Sequence, residues 1–164
     1  RVERYARVER YLADEVLPWI RDVARVSDVA AVGCSYGAMV AANLFLKRGD
    51  VVRLGAGFGG VYGLWHRLDG HHDEDVYFHT PLEYLPGLED RAILDVLRAN
   101  RGFDLYAAAD DPWAPHTDRI GRLLAVKRIT HANRVWPSPA DHHERWWRRQ
   151  WRDFLGRRFG AAAP

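Results

Sequence analysis

The chain consists of short apolar runs that alternate with segments in which apolar residues recur every three or four positions. Short apolar runs bounded by turn residues are typical of buried strands, and they fall at residues 26–32, 51–58, 103–109 and 128–136. Helical spacing predicts helices at residues 2–24, from the residues after Gly37 to about Lys47, and at 88–100, 117–127 and 144–159. This alternation predicts an α/β fold, with a mostly parallel sheet flanked by helices in three layers.

Three of the predicted helices have a recognisable apolar side. In the first helix this side consists of Val8, Tyr11, Leu12, Val16 and Trp19, and Pro18 is expected to perturb or end the regular part. In the helix at 117–127 it consists of Ile120, Leu123, Leu124 and Val126. The last helix is rich in Arg and Trp, which could stack on nucleic-acid bases. Its helical spacing of Trp147, Trp151, Phe154, Leu155 and Arg158 instead favours packing on the core.

The composition suits one domain without a nucleic-acid or membrane partner. The 164 residues are expected to form one domain at 1–160, with a flexible tail at 161–164. A net charge of +2 gives no electrostatic reason to bind nucleic acid. Apolar runs stay well below the roughly 18 residues that span a bilayer, so we expect no membrane association and take the cytoplasm as the default location. Because the chain opens on Arg1 rather than methionine, we expect a further N-terminal piece.

Residues 59–90 are irregular and rich in Gly, His, Asp, Tyr and Pro, as expected of a segment that borders a site. The run His71-His72-Asp73-Glu74-Asp75 could offer metal ligands, but adjacent loop residues diverge, whereas metal ligands converge. We therefore expect a solvated or gating loop without a metal. The aromatic residues that could line a pocket or belong to the core are Tyr62, Trp65, Tyr77 and Trp113. The histidines to which we assign no role are His66, His79, His116 and His131.

The pentapeptide Gly33-Cys34-Ser35-Tyr36-Gly37 carries the main chemical signal. A strand-like run precedes it and a helix-like run follows it, which is the context of a nucleophile elbow that exposes a serine hydroxyl. The two glycines are expected to allow the tight turn, because side chains there would clash with the crossing backbone. Cys34 is the single cysteine, so the chain forms no internal disulfide, and we expect it to be a small buried residue.

Polar residues at the ends of three predicted strands could complete a catalytic set. Ser35 follows the first strand, Asp110 and Asp111 follow the third, and His142 and His143 follow the fourth. The carboxyl ends of parallel strands meet at one edge of the sheet. A serine nucleophile needs a base and the base needs an orienting carboxylate, and the order Ser, Asp, His is that of α/β-hydrolases. On this argument alone, both aspartates and both histidines remain candidates.

From Tyr11 onward, the chain resembles a bacterial family of esterases in the α/β-hydrolase superfamily, related to the esterase D group. The residues that carry the resemblance are 11–18, 33–38, 60–62, the long segment 73–86 and 146–150. The resemblance spans nearly all of this chain but only the later two thirds of a typical member. It implies that the N-terminal strands of the fold lie outside the sequence, that a small-molecule ester is the substrate, and that no metal or organic cofactor is needed.

The resemblance also assigns roles to the candidate residues. Ser35 would be the nucleophile, and His142, four residues before the Trp146-Trp147 pair, would be the base, with His143 as the alternative. We favour Asp111 over Asp110 as the acid, because Asp111 begins the turn at Pro112.

An oxyanion hole would need two donors, and the backbone N–H of Tyr36 is expected to be one of them. The other normally comes from a loop after an earlier strand, which we expect before Arg1. The expected activity is hydrolysis of carboxylic esters through an acyl-enzyme. The alternatives are acyl transfer by the same residues, or a truncated, non-catalytic fragment of the fold. A homo-oligomer stays open.

Overall fold

Four parallel strands, flanked by helices, form one sheet in the order in which they occur along the chain. The computed structural model describes residues 2–65, 68 and 71–160. The strands are β1 (Val29–Cys34), β2 (Val52–Phe58), β3 (Gly102–Ala108) and β4 (His131–Trp136). The helices are α1 (Val2–Tyr11), α2 (Leu17–Ala24), α3 (Tyr36–Lys47), α4 (Glu74–His79), α5 (Pro81–Tyr84), α6 (Arg91–Ala99), α7 (Ala114–Val126) and α8 (Glu144–Phe159). The predicted α/β class is confirmed, while the predicted tail at 161–164 and His66 lie outside the described residues.

The strand pairs are parallel and in register at their carboxyl ends. Cys34 of β1 pairs with Phe58 of β2, and Ala108 of β3 pairs with Trp136 of β4. The loops that follow β1, β2, β3 and β4 therefore leave from the same edge of the sheet. This edge is where an open α/β sheet holds its ligands and reacting groups.

Helices cover both faces of the sheet. On one face, α3, α6 and α7 pack against residues that include Phe103 and Leu105 of β3. The rings of Phe45 and Phe103 lie 5.5 Å apart between their centroids. On the other face, Phe154 of α8 packs against Phe58 and Tyr106. The arrangement of helix layer, sheet and helix layer agrees with the three layers expected from the sequence.

The first predicted helix is divided by a π-helical segment at Leu12–Val16, which joins α1 to α2. Pro18 lies in the first turn of α2, where the helix continues without a break from the π-helical segment, since Val16 and Leu17 both have helical backbone angles. The expected apolar side was wrong in part, because Tyr11 is 54% and Trp19 is 64% exposed. The wider π turn changes the rotational phase of the helix, so the faces of α1 and α2 do not continue as one stripe.

Two strands begin later than the apolar pattern indicated. β1 starts at Val29 rather than 26, and β4 starts at His131 rather than 128. Arg25 and Arg128 have φ angles of 54° and 57°, a left-handed backbone that belongs to the turn ahead of each strand. On α7, the expected inward position of Val126 was wrong, because this side chain is 75% exposed in the last turn of the helix.

β1 is an edge strand of the sheet within the described part of the chain. Its residues are half-buried or exposed, whereas the sequence predicted a buried strand. The expectation that Cys34 is buried was also wrong, since it is exposed. β2 and α8 lie next to Cys34 but do not cover it. A cavity of about 320 Å³ lies between Cys34 and α8.

The segment 59–90 contains α4 and α5 rather than being irregular throughout. Asp73 begins α4 as its N-cap, because its Oδ1 accepts a hydrogen bond of 2.8 Å from the backbone N–H of Val76. Its other oxygen pairs with His71 at 2.7 Å. These contacts hold the pKa of Asp73 below its usual value, the backbone hydrogen bond being the main cause. None of the helices that the structure describes is long and apolar enough to cross a membrane.

Candidate active site

Ser35 occupies a tight turn between β1 and α3. Its φ and ψ angles are 53° and −121°, a sparsely populated region for a residue with a side chain. Its backbone N–H donates to the carbonyl of Phe58 at 2.9 Å, and its carbonyl accepts from the N–H of Val61 at 3.1 Å. These bonds to the end of β2 and to the next loop hold the strained backbone in place.

The two glycines of the pentapeptide differ in what they allow. A β-carbon on Gly33 would lie 2.1 Å from the carbonyl oxygen of Gly37, so no larger residue fits there without a shift of the backbone. A β-carbon on Gly37 would meet nothing within 4 Å. The expectation that both glycines prevent a clash therefore holds for Gly33 and is wrong for Gly37.

The structure brings three of the predicted site residues into one hydrogen-bonded chain. Ser35 Oγ lies 3.0 Å from His142 Nε2, and His142 Nδ1 lies 2.9 Å from Asp111 Oδ2. A proton on Nδ1 leaves the Nε2 lone pair free to accept the serine hydroxyl proton. The side chain of Asp111 is 1% exposed, whereas that of His142 is 22% exposed. The carboxylate is therefore enclosed, and the imidazole stays open on one side.

Asp111 is held by its own loop as well as by His142. Its Oδ1 accepts a hydrogen bond of 2.8 Å from the backbone N–H of Trp113. Both carboxylate oxygens thus have a donor or partner. This arrangement fixes the plane of the carboxylate and directs Oδ2 at the imidazole.

The alternative residues of the site make other contacts. Asp110 Oδ2 accepts a hydrogen bond of 2.8 Å from the hydroxyl of Ser138 at the exposed surface. His143 is the N-cap of α8, and its Nδ1 accepts a hydrogen bond from the backbone N–H of Arg145 at 3.2 Å. Each lies next in sequence to a member of the chain of hydrogen bonds but bonds elsewhere.

Tyr36, the expected source of an oxyanion donor, is the first residue of α3. The N-terminus of a helix carries partial positive charge from its unpaired N–H groups and favours an anion. Its ring packs near Tyr5 of α1, with 6.0 Å between the centroids. The N–H of Tyr36 remains a candidate donor next to Ser35.

Among the other predicted residues, Tyr62 belongs to the core rather than to an open pocket, since its exposure is 0%. Its backbone N–H donates to His116 Nδ1 at 3.2 Å, so His116 is a buried hydrogen-bonded histidine. The His116 ring also contacts Trp65 and Trp113, at 4.9 and 5.2 Å between centroids. These contacts join the loops after β2 and β3. Within the described ranges, no three His, Cys, Asp or Glu side chains are grouped to hold a metal ion.

Gly59 and Trp147 border the hydrogen-bonded chain, although no motif in the sequence predicted a role for either in the site. Gly59 directly follows β2 and has a φ of 54°. A β-carbon there would lie 2.9 Å from Asp111 Oδ2 and 2.7 Å from Trp147 Nε1. The Trp147 ring meets the His142 ring edge to face, with 4.9 Å between centroids. The signal in the sequence was a glycine at the end of a strand, which marks a position where another group approaches the backbone closely.

The fold and the strand-end position of this site are those of an α/β-hydrolase. The sequence profile of the family described as "Putative esterase" matches residues 3–157. The chain therefore belongs to this esterase family, as the resemblance in the sequence indicated. No curated protein matches the chain in a sequence search.

Solved structures with the same fold are esterases and related hydrolases. A ferulic acid esterase is 17% identical, with 90% of this chain and 58% of that chain covered and a TM-score of 0.73. The S-formylglutathione hydrolase of Staphylococcus aureus is 15% identical over 83% of this chain and 54% of its own, with a TM-score of 0.58. The fluorophosphonate-binding serine hydrolase F of the same species is 14% identical over 86% and 59%, with a TM-score of 0.63. The chain thus spans a little over half the length of these structures.

Proposed function

We propose that this protein hydrolyses carboxylic esters, with Ser35 as nucleophile, His142 as base and Asp111 as the residue that orients the base. The observation that carries the proposal is the continuous contact from Ser35 Oγ through the two imidazole nitrogens to Asp111 Oδ2, at 3.0 and 2.9 Å. Membership of an esterase family supports the same chemistry. The substrate would be a small-molecule ester. A cytoplasmic location and a homo-oligomer stay predictions from the sequence.

In the first half of the reaction, Ser35 Oγ forms a bond to the acyl carbon of the ester while His142 Nε2 takes the hydroxyl proton. The π electrons of the carbonyl move to its oxygen, giving a tetrahedral oxyanion. The carbonyl then reforms, the bond to the alcohol oxygen breaks, and His142 gives its proton to the leaving alcohol. In the second half, water attacks the acyl-enzyme with His142 again as base, and Ser35 leaves with the proton as the acid is released.

The environment of each group suits its proposed role. Enclosed Asp111 keeps His142 in the tautomer that presents a lone pair to Ser35, and its negative charge stabilises the imidazolium that forms. The N–H of Tyr36, at the N-terminus of α3, would donate to the developing oxyanion. Such a donor contributes about 3 kcal/mol to the transition state.

The experiment is labelling of the purified, folded chain with a fluorophosphonate probe, compared with Ser35→Ala. The matched control is Ser27→Ala, because the Ser27 hydroxyl is exposed and donates to its neighbour Asp28. Covalent labelling is expected for the wild type and for Ser27→Ala, and it should be lost in Ser35→Ala. Absence of labelling in the folded chain would contradict the proposal and support a non-catalytic fragment of the fold.

Product analysis with and without an added acceptor alcohol separates hydrolysis from acyl transfer. Release of free acid at an unchanged rate in the presence of the alcohol is expected for the hydrolase. Formation of a new ester at the expense of the acid would support the acyltransferase alternative instead.

A further inference from the structure

The indole of Trp147 is enclosed next to His142, and its one polar atom is buried as well. Nε1 is buried from solvent and has no hydrogen-bond partner among the residues that the structure describes. A buried N–H without an acceptor costs free energy, so its persistence calls for a physical explanation. The contact of the Trp147 ring with His142 provides that explanation, because it holds the indole next to the base.

Gly59 shows how closely the backbone approaches this pair. A β-carbon on Gly59 would lie 2.7 Å from Trp147 Nε1, 2.9 Å from Asp111 Oδ2 and 3.3 Å from His142 Nδ1. One point in space is therefore in contact with all three side chains. The backbone N–H of Gly59 donates to the carbonyl of Tyr106 at 2.9 Å, which fixes Gly59 to the end of β3.

The other side of Trp147 borders open space. A cavity of about 320 Å³ lies between β1 and α8, and its apolar lining comprises Cys34, Phe58, Trp147 and Trp151. Trp147 thus contacts His142 and also lines the cavity. Loss of the indole would extend this cavity to the His142–Asp111 hydrogen bond and would admit water there.

We propose that Trp147, together with Gly59, is a positioning unit that holds the His142–Asp111 pair in register and keeps water from it. This inference rests on the proposed roles of Ser35, His142 and Asp111. The edge-to-face contact restricts rotation of the imidazole, and the close approach of Gly59 to Trp147 Nε1 and to Asp111 Oδ2 leaves both side chains little room to move. Gly59 is required because any side chain at this position would displace one of the three groups.

The test uses Trp147→Ala and Trp147→Phe, with Trp151→Ala and Trp151→Phe as matched controls. Trp151 lies one turn later on α8 and lines the same cavity, but its ring contacts are with Phe58 and Phe154. Trp147→Ala is expected to lower kcat about 10- to 100-fold, the cost of a small misplacement of a reacting group, with KM changed less than about threefold. Trp147→Phe keeps a ring against His142 and should recover part of this loss.

A second readout does not depend on turnover. The Nδ1–H proton of His142, protected in its hydrogen bond to Asp111, should give a downfield proton NMR signal that is absent from a His142→Gln variant. Trp147→Ala should broaden or remove this signal through exchange with water, and the Trp151 variants should keep it. An unchanged signal and kcat in a folded Trp147→Ala protein would overturn the inference. Absence of fluorophosphonate labelling in the folded wild type would instead contradict the proposed function.

Gly59→Ala provides an independent variant, with Gly160→Ala as its control. Gly160 also has a positive φ, 66°, but a β-carbon there would meet nothing within 4 Å. Both variants carry the strain of a left-handed alanine, about 1–2 kcal/mol, so any difference in kcat reports contact with the catalytic pair. We expect kcat to fall at least tenfold in Gly59→Ala and to stay unchanged in Gly160→Ala. Equal kcat values in the two folded variants would contradict the role of Gly59.

Discussion

The carbonyl oxygen of Gly37 lies 2.1 Å from the point that a β-carbon on Gly33 would occupy. The end of β1 and the first turn of α3 therefore cross at a distance that only a glycine at position 33 permits. Ser35 lies at this crossing, with the strained φ of 53° that the turn requires. The position of the candidate nucleophile therefore depends on the glycine at position 33, whereas Gly37 is not required for the crossing.

Replacement of the two glycines should have opposite effects. Gly33→Ala forces the backbone at the elbow to move, so we expect loss of fluorophosphonate labelling and a lower free energy of unfolding. Gly37→Ala places a good helix former in the first turn of α3 in open space. It should retain labelling and raise the free energy of unfolding by up to about 1 kcal/mol. Urea unfolding and probe labelling check both, and full labelling of Gly33→Ala would contradict the argument.

The two neighbouring aspartates should differ sharply when each is changed to the isosteric asparagine. Asp111→Asn replaces the buried acceptor of the His142 Nδ1 proton by an amide that favours the wrong imidazole tautomer. We expect kcat to fall by about 10⁴, the size of this effect in the Ser-His-Asp template. Asp110→Asn alters a surface hydrogen bond to Ser138, so kcat should stay within about twofold. Ester hydrolysis rates of the two variants make the comparison. A larger loss of kcat in Asp110→Asn than in Asp111→Asn would assign the role of the acid to Asp110.

The sequence predicted a mostly parallel sheet, and it predicted that Ser35, an aspartate at 110 or 111 and a histidine at 142 or 143 meet at one edge, because parallel strands place their carboxyl ends there. That inference needs only the succession of strands and the residue types that follow each. The choice of His142 needed the family resemblance, and the choice of Asp111 needed the turn at Pro112. The exposure of Cys34 and of β1 could not be predicted in this way, since it depends on which strand forms the edge of the sheet. The roles inferred for Gly59 and Trp147 depend on contacts between distant segments, which a linear pattern does not contain.

Cys34 should be a slow nucleophile although the residue is exposed. Burial of the atoms around the thiol raises its pKa. The thiolate is the reactive form, so a raised pKa leaves less of it at neutral pH. We expect alkylation by iodoacetamide at pH 8 to be slower in the folded chain than in the same chain in urea. The difference should shrink as the pH rises above about 9. Mass spectrometry measures the rates, and equal rates at pH 8 would contradict the prediction.

Tyr62 should limit stability at alkaline pH. Complete burial raises its pKa well above that of an unfolded tyrosine, about 10. Below pH 10 the hydroxyl is protonated in both states, and the full stability is present. Above pH 10 the unfolded chain loses this proton while the folded chain keeps it, so the free energy of unfolding falls as the pH rises. Tyr62→Phe should make this decline shallower.

Near neutral pH, the same substitution should cost little. The Tyr62 hydroxyl is buried without a hydrogen-bond partner in the part of the chain that the structure describes. Its removal leaves no donor or acceptor unpaired, so we expect a change of less than about 1 kcal/mol. Tyr106→Phe is the control, because the Tyr106 hydroxyl donates to Asp153 at 2.9 Å, and its loss should cost about 1.5–3 kcal/mol. Urea unfolding of the two variants between pH 7 and 11 measures these changes. A larger loss of unfolding free energy at pH 7 in Tyr62→Phe than in Tyr106→Phe would contradict the prediction.

Arg158, rather than its neighbour Arg157, should hold α8 against the sheet. Arg158 donates to both oxygens of Asp104 on β3, a side chain that is 1% exposed. Arg158→Ala leaves this carboxylate buried without its partner, so we expect a loss of about 3–5 kcal/mol in the free energy of unfolding. Arg157 pairs with Asp153 at the surface, with 52% of its side chain exposed, and Arg157→Ala should cost less than about 1 kcal/mol.

Because α8 also carries Trp147, Arg158→Ala should lower kcat as the helix loosens, whereas Arg157→Ala should not. Urea unfolding and ester hydrolysis of the two variants provide the test, and equal unfolding free energies would show that the buried pair does not hold α8 in place.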